Sequence, residues 1–359
     1  LLGDFLACVA DTHELERALG LPEPVPLTID APDQKLPDWE QGRECARRVR
    51  DQLDLGDEPI LSMHELLEQR LRWSLFFVTP DDLSAAVDGA STSAPKPAIL
   101  INLVGGRETW WRTRMSLAHE MCHVLVDARI LAQPYLLSPH GGLQARNRWA
   151  LVERFRSIEA RANAFAAYLL VPGPGLRKVV GRVSQDSDET INRVCRTFGV
   201  GRKVAVNRLH HEYGLSDSIV ERMIARGGSV HHEADHPDAA IIPGLRTERL
   251  RRLVTEALDA ELIDGLEARS ILNIPTTEPI TAIMGARVHA PLLRSENLAR
   301  ARAEAHVWES KRAPCVTTGV TRTADGWSIE VDVHSVDGVS RQVVRLSPDF
   351  EPIIGSERT

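Results

Sequence analysis

The sequence predicts an α+β fold, and three observations lead to that class. Apolar residues recur at helical spacing over Arg112–Ile130 and again over Trp149–Leu170, which predicts two long helices. Ala98–Val104 is a short apolar run with β-branched residues, which predicts a strand. Residues 314–346 alternate apolar and polar side chains and contain two Asp-Gly pairs, which indicates a three-stranded antiparallel meander.

The remaining elements are short. Before the first long helix, the pattern predicts helices over Trp39–Leu53 and Met63–Leu71, a strand over Ser74–Val78 and a loop over Ser91–Pro97. After the second long helix, it predicts two or three helices within 186–226. It also predicts helical structure over Thr247–Asn273, with a break near Gly265.

Composition excludes several classes of protein. Of 359 residues, 43% are apolar and 26% are charged, which excludes collagen-like and wholly disordered chains. A net charge of -7 gives no overall basic field for nucleic acid, and no apolar run approaches the ~20 residues of a membrane span. Five dispersed cysteines disfavour a disulfide framework or a cysteine zinc knuckle, and Leu1–Ala10 makes a poor signal peptide. We therefore expect a cytoplasmic protein.

The first long helix contains the sequence His119-Glu120-Met121-Cys122-His123, an HExxH motif. Two histidines at i and i+4 on one helix face can bind a single Zn²⁺ at about 2.0–2.1 Å. The intervening Glu120 can accept a proton from water at the metal. An apolar stripe along the same helix predicts that the motif is buried.

A second HExxH match occurs at His232–His236, but its surroundings differ. Gly227 and Gly228 precede it, Pro237 follows it, and it has no apolar stripe. This context predicts a solvated linker rather than a metal site.

A third zinc ligand is expected from the second long helix. Glu159 lies beside its apolar stripe, and Asn163 lies one turn further on, where it can hydrogen-bond a ligand histidine or orient Glu159. The alternative interpretation makes Glu159 an exposed ion-pair partner of nearby arginines (Arg154, Arg156, Arg161). Glu153 and His140 are competing ligands.

These residues resemble the ImmA/IrrE family of bacterial zinc metallopeptidases. The segment Arg114–Leu125 is similar to the family's first motif, an Arg before a HELGH-like sequence, with Cys122 in place of the usual Gly. Glu159–Pro172 is similar to the second motif, E-x-x-A-N-x-F-A-x-x-L-L-x-P. The resemblance implies that His119, His123 and Glu159 bind zinc and that Glu120 is the catalytic carboxylate. For Cys122, two interpretations remain: a small buried apolar residue, or a thiol under redox control near the metal.

The sequence pattern along the chain predicts the domain organisation, and the resemblance implies the partner. We expect an N-terminal extension or linker at 1–35, a zincin-like metallopeptidase domain at 36–226, a linker at 227–245, a helical segment at 246–300 and an antiparallel β module at 301–359. The implied partner is a helix-turn-helix repressor or an antitoxin-like regulator.

The predicted function is zinc-dependent endopeptidase, with one Zn²⁺ per chain and Glu120 as general base toward the zinc-bound water. Strand Ala98–Val104 is the candidate edge on which substrate adds, through Ile99 and Ile101, although an ordinary core strand explains it as well. Two alternatives come from other classes. One is a DNA-binding regulator that uses the 189–215 helical pair, with phosphate contacts from Arg202, Lys203 and Arg208. The other is a non-catalytic zinc sensor, which would not need Glu120.

Overall fold

A computed structural model describes residues 1–79, 88–103, 110–128, 148–227, 236–239, 243–274, 295–311, 313–335, 338–347 and 352–353. Within these ranges the α+β class is confirmed. No helix in them is long and apolar enough to cross a bilayer. The chain divides into two compact units, one of Leu1–Val9 with Pro24–Leu245 and one of Ala10–Glu23 with Arg246–Thr359.

The sheet of the first unit has three strands in the order β1-β3-β2. They are β1 (Ser74–Val78), β2 (Gly89–Thr92) and β3 (Ala98–Asn102). The central strand β3 pairs in parallel with β1 and antiparallel with β2. The predicted substrate edge at Ala98–Val104 is therefore wrong: both edges of β3 are already hydrogen-bonded, and Ile99 and Ile101 are buried in the core.

Strand β2 is absent from the sequence prediction. Two of its four residues, Gly89 and Ala90, are of types depleted in strands, and a loop was expected from Ser91 to Pro97. Pairing with β3 makes this segment a strand, so a tertiary contact overrides the local signal. β2 is an edge strand of this sheet, and it contacts the helix Trp110–Cys122 that carries His119.

The described residues up to 274 include ten α-helices, and the last two of them belong to the second unit. The α-helices are α1 (Leu2–Ala18), α2 (Asp38–Gln52), α3 (Trp110–Cys122), α4 (Arg148–Leu170), α5 (Gly173–Val180), α6 (Asp188–Phe198), α7 (Arg202–Tyr213), α8 (Asp217–Ala225), α9 (Glu248–Asp259) and α10 (Gly265–Leu272). Single π-helical turns span Glu65–Arg70 and His123–Asp127, and the second of them extends α3. The first helix buries Phe5 and Cys8.

Helices α2 and α4 pack unusually close to each other because α2 has a glycine at the crossing. A Cβ at Gly42 would overlap the Arg161 carbonyl oxygen and lie 2.7 Å from the Phe165 nitrogen. The close approach brings Gln41 of α2 to the Arg161 side chain of α4. The stripe of α4 that the sequence predicted to be apolar is buried (Ile158, Ala162, Phe165, Ala166, Leu169).

The N-terminal half of α3 is fixed by a buried ion pair with a distant part of the chain. Arg114 Nη1 lies 2.6 Å from Asp238 Oδ2, and both side chains are almost wholly inaccessible. Asp238 also accepts hydrogen bonds from Ser62 Oγ and from the Met63 nitrogen. Residues 227–245 were expected to be a linker, but the described turn Pro237–Ala239 packs into the first unit because Asp238 must reach Arg114.

The second unit contains the predicted meander. Its strands are β4 (Cys315–Thr323), β5 (Gly326–Ser335) and β6 (Gly338–Leu346), all antiparallel. Helix α11 (Ser295–Lys311) covers one face of this sheet through Ala303 and Val307. The sheet contributes alternate residues to that small core, as a half-buried sheet requires (Trp327, Ile329, Val331, Val333, Val344, Leu346).

Removing one partner of the buried pair should destabilise the first unit. We expect Asp238→Asn to lower the free energy of unfolding by about 3–5 kcal/mol, because Arg114 keeps a buried charge without a counter-ion. Urea denaturation measures this, with Asp186→Asn, at a partly exposed position, as the control. Burial opposes ionisation of Asp238, but Arg114 and the hydrogen bonds lower its pKa, so the stabilisation persists at neutral pH and is lost only as pH falls through that lowered value. An unchanged urea midpoint for Asp238→Asn would show that the pair contributes nothing.

Candidate metal centre

Three predicted ligand side chains converge between α3 and α4. His119 lies in the last regular turn of α3, His123 begins the π-helical turn after it, and Glu159 comes from the middle of α4. His123 is buried, whereas the Glu159 side chain is 38% exposed. The site therefore has a closed side toward the core and an open side toward Glu159.

The distances among these groups fit a tetrahedral ion. The two Nε2 atoms lie 3.0 Å apart. Two ligands about 2.0–2.1 Å from a tetrahedral ion would be roughly 3.3 Å apart. Glu159 Oε2 lies 3.3 Å from His119 Nε2, and Glu159 Oε1 lies 3.7 Å from His123 Nε2. Two imidazoles and one carboxylate are also the donor types that zinc takes in hydrolases, so the residues present fit the metal.

Asn163 contacts the first histidine. Its Oδ1 lies 3.2 Å from His119 Nδ1, so a proton on Nδ1 can be donated to the amide and Nε2 remains available to an ion. Of the two contacts expected for Asn163, this is the one to a ligand histidine. Burial opposes protonation of His119, but the hydrogen bond that its imidazole donates to Glu159 and the charges of Glu120 and Glu159 together raise its pKa.

A chain of buried polar groups supports the second histidine. His123 Nδ1 lies 2.7 Å from Asp127 Oδ2, and the other oxygen of Asp127 accepts a hydrogen bond from Arg161 Nη2. Arg161 Nη1 donates to Gln41 Oε1 at 3.1 Å. A carboxylate on the far nitrogen of a ligand histidine fixes its tautomer and raises its basicity as a ligand. The chain therefore presents His123 Nε2 to the site.

The catalytic candidate Glu120 is held from the other side of the helix. Ser91 Oγ of β2 donates to Glu120 Oε2 at 2.7 Å. A carboxylate oxygen of Glu120 still lies within 4.8 Å of ligand atoms on His119 and His123. Two carboxylates thus lie near the imidazole pair: Glu159, 3.3 Å and 3.7 Å from the two Nε2 atoms, and Glu120, within 4.8 Å of a ligand atom on each histidine.

Sequence reasoning missed Asp127, Gln41 and Ser91 and assigned Arg161 to another partner. Positions 159 and 161 point to nearly opposite sides of a helix, so Arg161 turns inward to Asp127 and does not pair with Glu159. Asp127 had a usable signal, since it follows His123 by four residues after an apolar run. Gln41 and Ser91 had none, because only tertiary packing brings α2 and β2 to the site.

The competing ligands are resolved only in part. The Glu153 side chain, His140 and His232 lie outside the described residues. His236, from the second HExxH match, stacks on Trp110 with ring centroids 3.7 Å apart, and its Nδ1 accepts a hydrogen bond from the Asp238 nitrogen. Within the described residues, the cluster of side chains tight enough to hold an ion is His119, Glu120 and His123, and Glu159 reaches the two imidazoles at 3.3 Å and 3.7 Å.

Cys122 is packed into the core beside the site. Burial raises the pKa of its thiol well above the ordinary value, and burial likewise raises the pKa of Cys45 to about 11. Both side chains are inaccessible. These properties favour the interpretation of Cys122 as a small apolar residue over a reactive thiol.

The arginines proposed for DNA contacts are engaged inside the protein. Arg202 donates to the Met223 carbonyl oxygen and pairs with Asp188. Arg208 is buried, donates to the Val171 carbonyl oxygen and lies over the Tyr168 ring. Helices α6 and α7 do form the predicted helical pair. The Arg208 side chain is 1% exposed and the Arg202 side chain 12%, whereas Lys203, the third residue proposed for phosphate contact, is exposed.

Comparison with known proteins agrees with the motifs. Residues 87–210 match the Peptidase_M78 family model, described as the IrrE N-terminal-like domain. The match confirms the resemblance to the ImmA/IrrE family and supports a metallopeptidase of that type, which implies a metal and a protein substrate. No curated protein matches the chain.

Removal of the carboxylate that contacts His123 should lower the affinity for the metal. Replacing Asp127 by Ala should weaken Zn²⁺ binding about 10–100-fold, because His123 loses the carboxylate that fixes its ring. Competition with a zinc chelator measures the dissociation constant, and circular dichroism checks that the protein is folded. Asp217→Ala, on the exposed first turn of α8, is the matched control. Equal zinc affinity in the two variants would remove Asp127 from the metal centre.

Proposed function

We propose that this chain, whose residues 87–210 match the IrrE N-terminal-like family model, is a zinc-dependent endopeptidase that cleaves a regulatory protein at a defined site. The observation that carries this proposal is the convergence of His119, His123 and Glu159, with the separate carboxylate of Glu120 beside them. A zinc sensor would not need the second carboxylate, whereas a hydrolase requires a base next to the metal.

In this proposal one Zn²⁺ per chain is held by His119 Nε2, His123 Nε2 and a carboxylate oxygen of Glu159. The bound ion supplies Lewis-acid polarisation of the peptide carbonyl and acidifies water. Asn163 and Asp127 orient the two imidazoles through their Nδ1 atoms. The partly exposed Glu159 side marks the direction from which a substrate approaches.

Glu120 carries the proton transfers. One carboxylate oxygen accepts a proton from the attacking water, and the same group then delivers it to the nitrogen of the departing amine. Placing this acid–base group next to the metal ligand His119 puts it within reach of both steps. Its low exposure keeps it out of bulk solvent.

The strand proposed to receive the substrate is β2, in place of β3, for which the sequence analysis argued. Ile99 and Ile101 lie on the central strand and cannot receive a peptide, whereas β2 is an edge strand that contacts Glu120 through Ser91. An extended segment of the partner that adds beside β2 would pass close to the proposed base.

The proposed partner is a helix-turn-helix repressor or an antitoxin-like regulator in the cytoplasm. The family resemblance supports this class of partner, and the five buried free cysteines fit a reducing compartment. The second unit, outside the matched range, offers surface for holding the rest of the partner while one segment is cut. Direct binding to nucleic acid is not part of this proposal.

Removing any ligand should empty the site. His119→Ala, His123→Ala and Glu159→Ala should each leave less than about a tenth of the wild-type zinc after dialysis, since two protein ligands hold Zn²⁺ far less tightly than three. Elemental analysis by mass spectrometry gives the zinc-to-protein ratio. His236→Ala is the matched control, because this histidine stacks on Trp110. Zinc loss in the control with retention in the three variants would reverse the assignment.

Glu120→Gln should separate binding from chemistry. Glutamine has almost the same shape as glutamate but cannot accept the proton, so we expect stoichiometric zinc and a fall in the hydrolysis rate of about 10²–10⁴-fold. The rate is measured on an internally quenched peptide selected from a library with the wild-type protein. Cleavage at the wild-type rate by zinc-loaded Glu120→Gln would eliminate Glu120 as the base.

Cleavage should be specific to a partner. We expect the zinc-loaded protein to cut the product of a neighbouring regulator gene at one site and to leave casein largely intact. The Glu120→Gln variant should bind the same regulator without cutting it. Mass spectrometry maps the fragments. Rapid, dispersed digestion of casein, or no retention of the regulator by the variant, would contradict a dedicated endopeptidase.

A further inference from the structure

Strand β2 presents two small residues to the Glu120 carboxylate. Gly89 and Ser91 are two positions apart, so they share one face of the strand. Ser91 Oγ donates to Glu120 Oε2 at 2.7 Å. A Cβ at Gly89 would lie 2.9 Å from Glu120 Oε1 and 3.0 Å from the Leu100 carbonyl oxygen. Ser91 therefore holds Oε2 of Glu120 by a hydrogen bond, and the absence of a side chain at Gly89 leaves room for Oε1.

This contact decides what Glu120 can do at the metal centre. The residue is buried, and within the described part of the chain Ser91 is the hydrogen-bond donor to its carboxylate. A carboxylate oxygen of Glu120 lies within 4.8 Å of ligand atoms on both histidines. A small rotation of a free glutamate side chain would bring an oxygen into contact with the ion and add a fourth protein ligand. A catalytic zinc site needs that position open.

We propose that Gly89 and Ser91 form a carboxylate seat that keeps Glu120 beside the metal as a base and prevents it from becoming a ligand. This inference rests on the proposed function and adds two positioning residues to it. Ser91 acts through the hydrogen bond to Oε2, and Gly89 acts through the space it leaves for Oε1. The seat belongs to the edge strand, so the strand proposed to receive substrate also orients the base.

Three variants test the seat. Ser91→Ala removes the donor, Gly89→Ala fills the space, and Ser91→Thr retains a hydroxyl at the same position. Each variant is loaded with Zn²⁺ for kinetics on the internally quenched peptide and with Co²⁺ for absorption spectroscopy, which reports the ligands around the metal. Thr92→Val is the matched control for the spectrum, because it removes a hydroxyl that bonds to the Ala94 carbonyl oxygen and not to Glu120.

We expect Ser91→Ala and Gly89→Ala to bind one metal ion, to show a cobalt spectrum different from the wild type, and to lose about 10–100-fold in kcat with little change in KM. Ser91→Thr should restore both the spectrum and most of kcat. Thr92→Val should keep the wild-type spectrum.

The seat is overturned if Ser91→Ala and Gly89→Ala keep the wild-type cobalt spectrum, whatever their kcat, because Glu120 then never approaches the ion. It is also overturned if the spectrum changes and kcat does not. If the wild-type protein hydrolyses no peptide, the proposed function fails, whereas the cobalt spectra still decide whether the seat controls the coordination of the metal.

Discussion

The metal helix α3 and its π-helical extension are held at both ends by buried arginine–aspartate pairs. Arg114 reaches Asp238 near the start, and Asp127 reaches Arg161 at the end. A buried charge without a partner is very costly, so each pair fixes the position of the element that supplies the other charge. The two histidines lie between these pairs, and the geometry of the site follows from how the helix is anchored.

The second pair connects the fold directly to the chemistry. Asp127 uses one oxygen for His123 and the other for Arg161, and Arg161 extends the contact to Gln41 on α2. The close approach of α2 and α4 at Gly42 makes this last contact possible. Three helices and one strand thus determine where two imidazoles and two carboxylates point.

The sequence predicted the parts of this arrangement that have a local signal. Helical periodicity located α3 and α4, the HExxH spacing placed His119 and His123 on one face, and the Asp-Gly pairs indicated the meander of the second unit. The residue pattern alone allowed two roles for Glu159, a zinc ligand or a surface ion-pair partner, and the family resemblance favoured the zinc ligand. The structure places its carboxylate against both histidines.

The parts that could not be predicted depend on contacts between distant segments. β2 begins with two residues of types depleted in strands and forms because β3 offers it an edge. Because β2 forms the edge of the sheet, the candidate edge for substrate is β2 and not β3, and Ser91 of β2 contacts Glu120. Asp238 lies in a stretch rich in glycine and proline that resembles a linker, yet it is buried because Arg114 needs a counter-ion. Arg161 turns inward because the buried carboxylate of Asp127 needs a counter-ion.

A crystal structure of the zinc-loaded protein, with anomalous diffraction recorded at the zinc edge, tests the central claim most directly. We predict a single strong peak about 2.0–2.2 Å from His119 Nε2, His123 Nε2 and a Glu159 carboxylate oxygen, with the Glu120 carboxylate outside that distance. A peak bound by His236, or one in which Glu120 replaces Glu159 as the ligand, would contradict the account.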